Sequence, residues 1–247
     1  MGKLDNKVAI VTGASKGIGA GIAERLAADG AKVVVNYASS AAGAQAVVQK
    51  IEATGGKAVA VQADVSKDAD IARLFKETAA AFGPADILVN NAGVYGQDGI
   101  DAVTPDSIDR HYALNVKGLL LTTQAAVRQF PQAGGVVVNI SSGVGTTPAP
   151  GMHVYSSTKA AVDSLTRSLA LELGPRHIRV VGIAPGYTTS EGTADIPEEF
   201  VAPMIARTPL GRAGTPKDIA AAVAFVVSED GAWITGETIQ VGGGLLL

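Results

Sequence analysis

Short apolar blocks alternate with longer amphipathic ones along almost the whole chain. Runs of four or five residues dominated by Val, Ile and Ala fall at Val8–Thr12, Lys32–Asn36, Ala58–Gln62, Ile87–Asn90, Val136–Ile140, Arg179–Ile183 and Thr238–Val241. Their apolar residues occupy consecutive rather than alternate positions, which predicts strands covered on both faces, as a parallel sheet requires. The stretches between them, Gly17–Asp29, Ala41–Thr54, Asp68–Phe82, Pro105–Gln129, Tyr155–Leu173 and Pro216–Ser228, carry apolar residues at helical spacing. Gly30, Gly55-Gly56, Gly83-Pro84 and Gly174-Pro175 stand where those helices should stop. Seven strands with intervening helices and no long linker predict one doubly wound α/β domain over residues 1–247, a seven-stranded parallel sheet with helices on both faces. The tight alternation lapses at 187–215, rich in Pro, Thr and Gly with a short helical piece near Pro197–Arg207; this segment is expected to be a substrate lid.

Composition narrows the classes of function. Hydrophobic residues make up 47% and charged residues 17%, enough for a large core and little for a disordered tail. A formal net charge of -3 opposes a nucleic-acid or acidic-membrane partner, either of which wants a basic face. The absence of cysteine removes disulfides, thiolate nucleophiles and Cys-bound metals, and fits a reducing compartment. His111, His153 and His177 show no metal-ligand spacing, so no metal is expected. No apolar run has signal-peptide or membrane-spanning length, and a cytoplasmic location is the expectation.

The first strand runs through Thr12-Gly13-Ala14-Ser15-Lys16-Gly17-Ile18-Gly19 straight into a helix. Glycines at 13, 17 and 19 let the backbone turn sharply and let a pyrophosphate approach amide N–H groups at the helix N-terminus. This T-G-x-x-x-G-x-G resembles the short-chain dehydrogenase/reductase family, whose fold is of the Rossmann type. The other marks of that family follow in order: Asp64-Val65 after the third strand, Asn90-Asn91-Ala92-Gly93 after the fourth and Pro185-Gly186 after the sixth. The likeness runs from about residue 7 to 244. It implies a nicotinamide dinucleotide on Gly13, Ser15, Lys16, Gly17, Ile18 and Gly19, with Asp64 and Val65 bracketing the adenine. Asn91, Ala92 and Gly93 would support the cofactor ribose, and Pro185, Gly186, Thr188 and Ser190 would flank the nicotinamide. Ser190 stands where the family has threonine; it keeps the hydroxyl and loses the methyl that stiffens χ1.

The end of the second strand bears on which cofactor is used. In NAD-preferring folds an acidic side chain there accepts hydrogen bonds from the adenosine ribose. Here the chain reads Asn36-Tyr37-Ala38-Ser39-Ser40, with no carboxylate before Glu52. A carboxylate would repel a 2′-phosphate; Asn36, Ser39 and Ser40 offer neutral donors, with Tyr37 also on the cofactor side, and Lys16 offers a cation. NADP(H) is therefore expected in preference to NAD(H).

Tyr155 and Lys159 lie four residues apart, on one face of a predicted helix. A free tyrosine has a pKa near 10, and the expectation is that the ammonium, with the nicotinamide charge beside it, favours the phenolate. The resemblance implies a tetrad: Tyr155 exchanges the proton and Lys159 also reaches the cofactor ribose. Ser142, thirteen residues before the tyrosine, holds the substrate oxygen, and Asn115, interrupting a helix, connects the lysine to solvent through a water.

The leading function is a small-molecule ketone or aldehyde reductase using NADPH. Alternatives are a 3-oxoacyl-acyl-carrier-protein reductase and a dehydrogenase of a sugar alcohol or other secondary alcohol; a cofactor-binding regulator would be favoured had the tetrad been incomplete. An acidic carrier protein wants a basic docking surface, to which Arg128, Arg176 and Arg179 could contribute, thinly spread. A homotetramer is expected from the mean hydropathy of +0.26, the two long helices apolar on more than one face, and the terminal Leu245-Leu246-Leu247.

Overall fold

The computed structural model describes residues 2–194 and 196–245. One parallel sheet of seven strands, in the order β3-β2-β1-β4-β5-β6-β7, forms its centre. The strands are β1 Val8–Val11, β2 Lys32–Tyr37, β3 Lys57–Gln62, β4 Ile87–Asn90, β5 Gly135–Ile140, β6 Ile178–Pro185 and β7 Thr238–Val241. Every run of consecutive apolar residues became a strand, because each pleat face has its own layer to fill. Val34, Ile10, Leu88, Val137 and Val180 stand in register across the sheet and join one core. The next row, Val35, Val11, Val89, Val138 and Val181, points the other way and joins the second.

The helices are α1 Gly17–Ala28, α2 Ala41–Ala53, α3 Asp68–Phe82, α4 Pro105–Tyr112, α5 Leu119–Gln129, α6 His153–Leu173, α7 Glu198–Arg207 and α8 Pro216–Val227. Ile22 and Leu26 of α1, Val47, Val48 and Ile51 of α2, and Ile219 and Val223 of α8 cover one face. Ile71, Leu74 and Phe75 of α3, Ala126 and Val127 of α5, and Ala170 and Leu173 of α6 cover the other. Two helix boundaries differ from the sequence reading. The long helix predicted over Pro105–Gln129 is broken by a π-helical stretch, Ala113–Gly118. There Asn115 is pulled toward Val94, and Gly118 lies so close to the Val65 carbonyl that a Cβ would stand 2.7 Å from its oxygen. Helix α6 begins at His153, so Tyr155 sits inside its first turn rather than at its start.

Strand order reverses between β1 and β4, the place where sheets of this kind hold a ligand beyond their C-terminal strand ends. The glycine turn, the Asn91–Gly93 loop, Ser142 and the Pro185–Ser190 segment all leave the sheet on this edge. Among the described residues no helix is long and apolar enough to cross a membrane.

Candidate active site

The glycine turn is built mainly on protein contacts. Thr12 Oγ1 accepts from the amides of Asn91 and Ala92, both at 3.0 Å, and Asn91 Nδ2 donates to the carbonyls of Thr12 and Gly13. Gly13 has φ +61°, and a Cβ on it would stand 2.9 Å from Ala92 Cα. A Cβ on Gly19 would stand 2.5 Å from Asn91 Nδ2. These two glycines therefore let the turn seat on the loop after β4. Gly17, φ +58°, faces outward: its amide donates to the Glu191 carboxylate at 2.9 Å, and a Cβ there would meet nothing closer than 3.4 Å. Helix α1 opens without a side-chain cap of its own, so its first turn takes a carboxylate from another segment. A turn that already binds an anionic oxygen at a helix N-terminus fits a pyrophosphate. Lys16 is exposed at the N-cap, Ser15 is half-buried, and Ile18 packs on the core.

Asn36 requires a correction. It is 1% exposed, and its amide is fully engaged. Oδ1 accepts from the Gly13 amide at 3.2 Å, and Nδ2 donates to the carbonyls of Val61 at 3.2 Å and Ala63 at 3.0 Å. Both donor hydrogens are spent, so Asn36 braces the turn and offers nothing to a 2′-phosphate. The groups left at this corner are half-buried Tyr37 and exposed Ser39, Ser40 and Lys16. Asp64 is likewise committed locally. Burial pushes its carboxyl up, but hydrogen bonds from Ser66 and Lys67 outweigh this and hold it below the usual range. Val65 is buried against Gly118.

Ser142 follows β5 and hydrogen-bonds Tyr155 of α6; Lys159 stands one turn further along that helix, and Asn115 lies in the π stretch. Lys159 Nζ lies 5.6 Å from the centroid of the Tyr155 ring and donates to the Ile140 carbonyl at 2.8 Å. Asn115 Oδ1 accepts from Val94 N at 2.9 Å; Nδ2 donates to Val94 O at 2.8 Å and to Thr158 Oγ1 at 3.1 Å. A Cβ on Gly93 would stand 3.1 Å from Asn115 Oδ1 and 3.8 Å from Lys159 Nζ, so these two groups meet beneath Gly93. The expected low phenol pKa is not what the protein's own groups produce. Burial pushes Tyr155 up, the Ser142 hydroxyl draws it partly back, and Tyr95 opposes ionisation further. The Lys159 ammonium, 5.6 Å from the ring centroid, donates to the Ile140 carbonyl rather than to the phenol, and burial brings its own pKa down to about 8. The fold holds Tyr155 as a neutral phenol.

The segment after β6 packs against the end of β7 and the glycine turn. Gly186 packs on Gly242, where a Cβ would stand 2.7 Å from its Cα. Thr188 is buried with its hydroxyl on the Gly186 carbonyl, and Ser190 Oγ lies 3.6 Å from the Cβ position of Gly17. Tyr95, on the loop after β4, donates its hydroxyl to the Gly192 carbonyl. A cavity of about 580 Å³ lies within this segment, lined by Tyr187, Thr189, Ser190, Glu191, Ile196 and Val201 among others. Thr12, Tyr95 and Glu191 escaped the sequence reading. Thr12 sits inside the glycine motif and was within reach of it; nothing local marks the other two, which meet their partners only through the fold.

Known proteins bear out this architecture. A family model described as enoyl-(acyl carrier protein) reductase matches residues 13–246. An uncharacterized oxidoreductase of Methylorubrum extorquens is 52% identical over 99% of this chain and 100% of its own. A 3-oxoacyl-[acyl-carrier-protein] reductase of Staphylococcus aureus is 41% identical over 98% of each chain. A short-chain dehydrogenase from Burkholderia cenocepacia, solved in complex with NADP, superposes with a TM-score of 0.93 at 40% identity, covering 99% of this chain and 100% of the other. The chain is an oxidoreductase of the short-chain dehydrogenase/reductase family.

Proposed function

We propose that the protein is a cytoplasmic NADPH-dependent reductase of small ketones or aldehydes. One observation carries the reading: Ser142 hydrogen-bonds Tyr155 at the C-terminal end of β5 beside Lys159, and burial raises the Tyr155 phenol above its usual range. The reduced nicotinamide, when bound, supplies the hydride. The chain does the rest. Ser142 orients the carbonyl oxygen by donating a hydrogen bond, and Tyr155 donates its proton to that oxygen as negative charge develops. A neutral phenol is the form that reduction needs. Lys159 holds the ribose and stabilises the phenolate left behind, and Asn115 fixes the lysine's surroundings. Gly13 to Gly19 and Asn91 to Gly93 cradle the dinucleotide, with Pro185, Gly186, Thr188 and Ser190 on its nicotinamide side. Lys16, Tyr37 and Ser39 recognise the 2′-phosphate, which supports NADPH over NADH; the NADP complex of the Burkholderia relative supports it too.

The name of the Staphylococcus relative favours a second reading, reduction of a 3-oxoacyl group on an acyl carrier protein. The three arginines named for such docking give it little support. Arg128 lies in the last turn of α5, Arg176 just before β6 and Arg179 on its second residue, all toward the N-terminal edge of the sheet, away from Tyr155. NADPH consumption against ketones, aldehydes and 3-oxoacyl thioesters, free and on carrier protein, separates the two.

A single cofactor-binding domain with its lid at 187–215, assembled as a homotetramer, completes the proposal. Ile108, Tyr112 and Leu120 are exposed on α4 and α5, Leu171 is 83% exposed on α6, and Phe225 on α8 and Trp233 (99% exposed) lie before β7. Two separate apolar faces suit two kinds of two-fold contact. Leu245 is buried within the chain; Leu246 and Leu247 lie outside the described residues.

A further inference from the structure

Asp163 stands one helical turn beyond Lys159 on α6. It is 4% exposed. Its Oδ1 accepts a hydrogen bond from Thr238 Oγ1 at 3.1 Å, whereas Oδ2 has no partner among the described residues. Oδ2 lies beneath the turn that follows Ser142. A Cβ on Gly145 would stand 2.9 Å from Oδ2 and 3.0 Å from the Lys159 carbonyl carbon, so turn and helix meet without room for a side chain. A carboxylate left half-satisfied in such a place is costly unless a cation compensates it.

The cation buried next to it along the helix is Lys159, 7% exposed, whose Nζ bonds to the Ile140 carbonyl rather than to a carboxylate. We propose that Asp163 is a positioning residue for the reduction: its buried negative charge keeps Lys159 an ammonium at neutral pH, acting through the core without direct contact. The idea rests on the function proposed above, in which a charged Lys159 holds the cofactor ribose. Burial lowers the lysine to about 8, and Asp163 is the charge that works against burial. Of the other titratable groups on elements packed against α6, Asp106, Asp109 and Arg110 are exposed on α4, and Arg176 bonds to the Val127 carbonyl. His111 bonds to Ser107, Tyr112 to Ser157, Lys117 pairs with Asp68, and Arg179 bonds to the Ile234 carbonyl. Burial holds Tyr155 above the usual phenol range. Without Asp163 the desolvated ammonium would lose its proton at a lower pH, and with it part of its hold on the cofactor.

The test is the NADPH dissociation constant, measured by calorimetry between pH 6 and 9.5, for the wild type and Asp163→Asn. A lysine whose charge favours the cofactor loses that contribution as pH rises through its value in the free protein, so wild-type affinity should hold to about 8 and fall above it. In Asp163→Asn the fall should begin about one pH unit lower, leaving the variants equal at pH 6 and the mutant about five-fold weaker at pH 8. Lys159→Met should flatten the profile, and Asp163→Asn added to it should change nothing. Asp163→Ser carries the same test should the Asn protein not fold. Thr238→Val, which removes the hydrogen bond and keeps the charge, should lower the melting temperature and leave the onset in place. An Asp163→Asn affinity ratio constant across the pH range would overturn the proposal and reduce Asp163 to a tie between α6 and β7. Failure of the wild type to bind NADPH would instead contradict the cofactor reading itself.

Discussion

Asn36→Asp is the substitution that a carboxylate-for-ribose argument would choose to turn an NADPH enzyme toward NADH. The structure predicts that it chiefly costs stability. The carboxylate can still accept from the Gly13 amide, but it has no hydrogens for the Val61 and Ala63 carbonyls and would face both at about the present 3.0–3.2 Å. Each buried polar group stripped of its partner costs about 1–3 kcal/mol, so the variant should lose roughly 2–5 kcal/mol. At this chain length that corresponds to a melting temperature lower by roughly 5–15 °C. The sign of the pH dependence follows from the same contacts. Two facing carbonyls raise the folded-state pKa of the new acid above its unfolded value near 4, and the protonated form can donate one of the lost bonds. The deficit should therefore be largest at pH 8 and shrink as pH falls toward 5. Urea unfolding followed by circular dichroism at both pH values measures it. Midpoints equal to the wild type at pH 8 would refute the reasoning, and a cofactor switch without loss of stability would return Asn36 to the ligand.

Cofactor choice should respond instead at Ser39, exposed at the same corner: Ser39→Asp should lower kcat/KM for NADPH at least about ten-fold and leave NADH nearly untouched. Equal losses with both cofactors would place the 2′-phosphate elsewhere. Glu191 occupies the Gly17 amide that a pyrophosphate would use, so Glu191→Gln should tighten NADPH binding by about three- to ten-fold, read by calorimetry; weaker binding would make the carboxylate an ally of the cofactor. Light scattering at micromolar concentration should give four times the 24.9 kDa chain mass, and a monomer would mean that Leu171, Phe225 and Trp233 face water in solution.

Much of this was readable in the chain because the signals are local and redundant. A run such as Val33-Val34-Val35 has no polar side to show water, so it declares a strand covered on both faces before any partner is known. Helix α3 was placed to the residue, since Asp68 and Asp70 open it and Gly83, at φ +94°, closes it. The departures depend on contacts distant in sequence. The break at Ala113–Gly118 exists because Val94, Thr158 and Val65 meet it from three directions. Asn36 reads as an available donor until β3 lies alongside and takes both its hydrogens. The protein's own effect on Tyr155 is hidden for a similar reason: spacing shows that Lys159 is near, not that the phenol itself is buried.

The central claim is that hydride transfer to a carbonyl is completed by a proton from Tyr155. The most direct measurement gives the wild type and Tyr155→Phe NADPH deuterated at the transferred position, together with a ketone that the wild type reduces. Alcohol formation, deuterium content and NADPH affinity are then followed together. Removing the hydroxyl alone should lower kcat by about 10²–10⁴-fold while leaving the NADPH dissociation constant within about two-fold. Wild-type product should carry one deuterium on the former carbonyl carbon. Near-wild-type turnover by Tyr155→Phe, or tight NADPH binding by the wild type with no carbonyl ever reduced, would contradict the account.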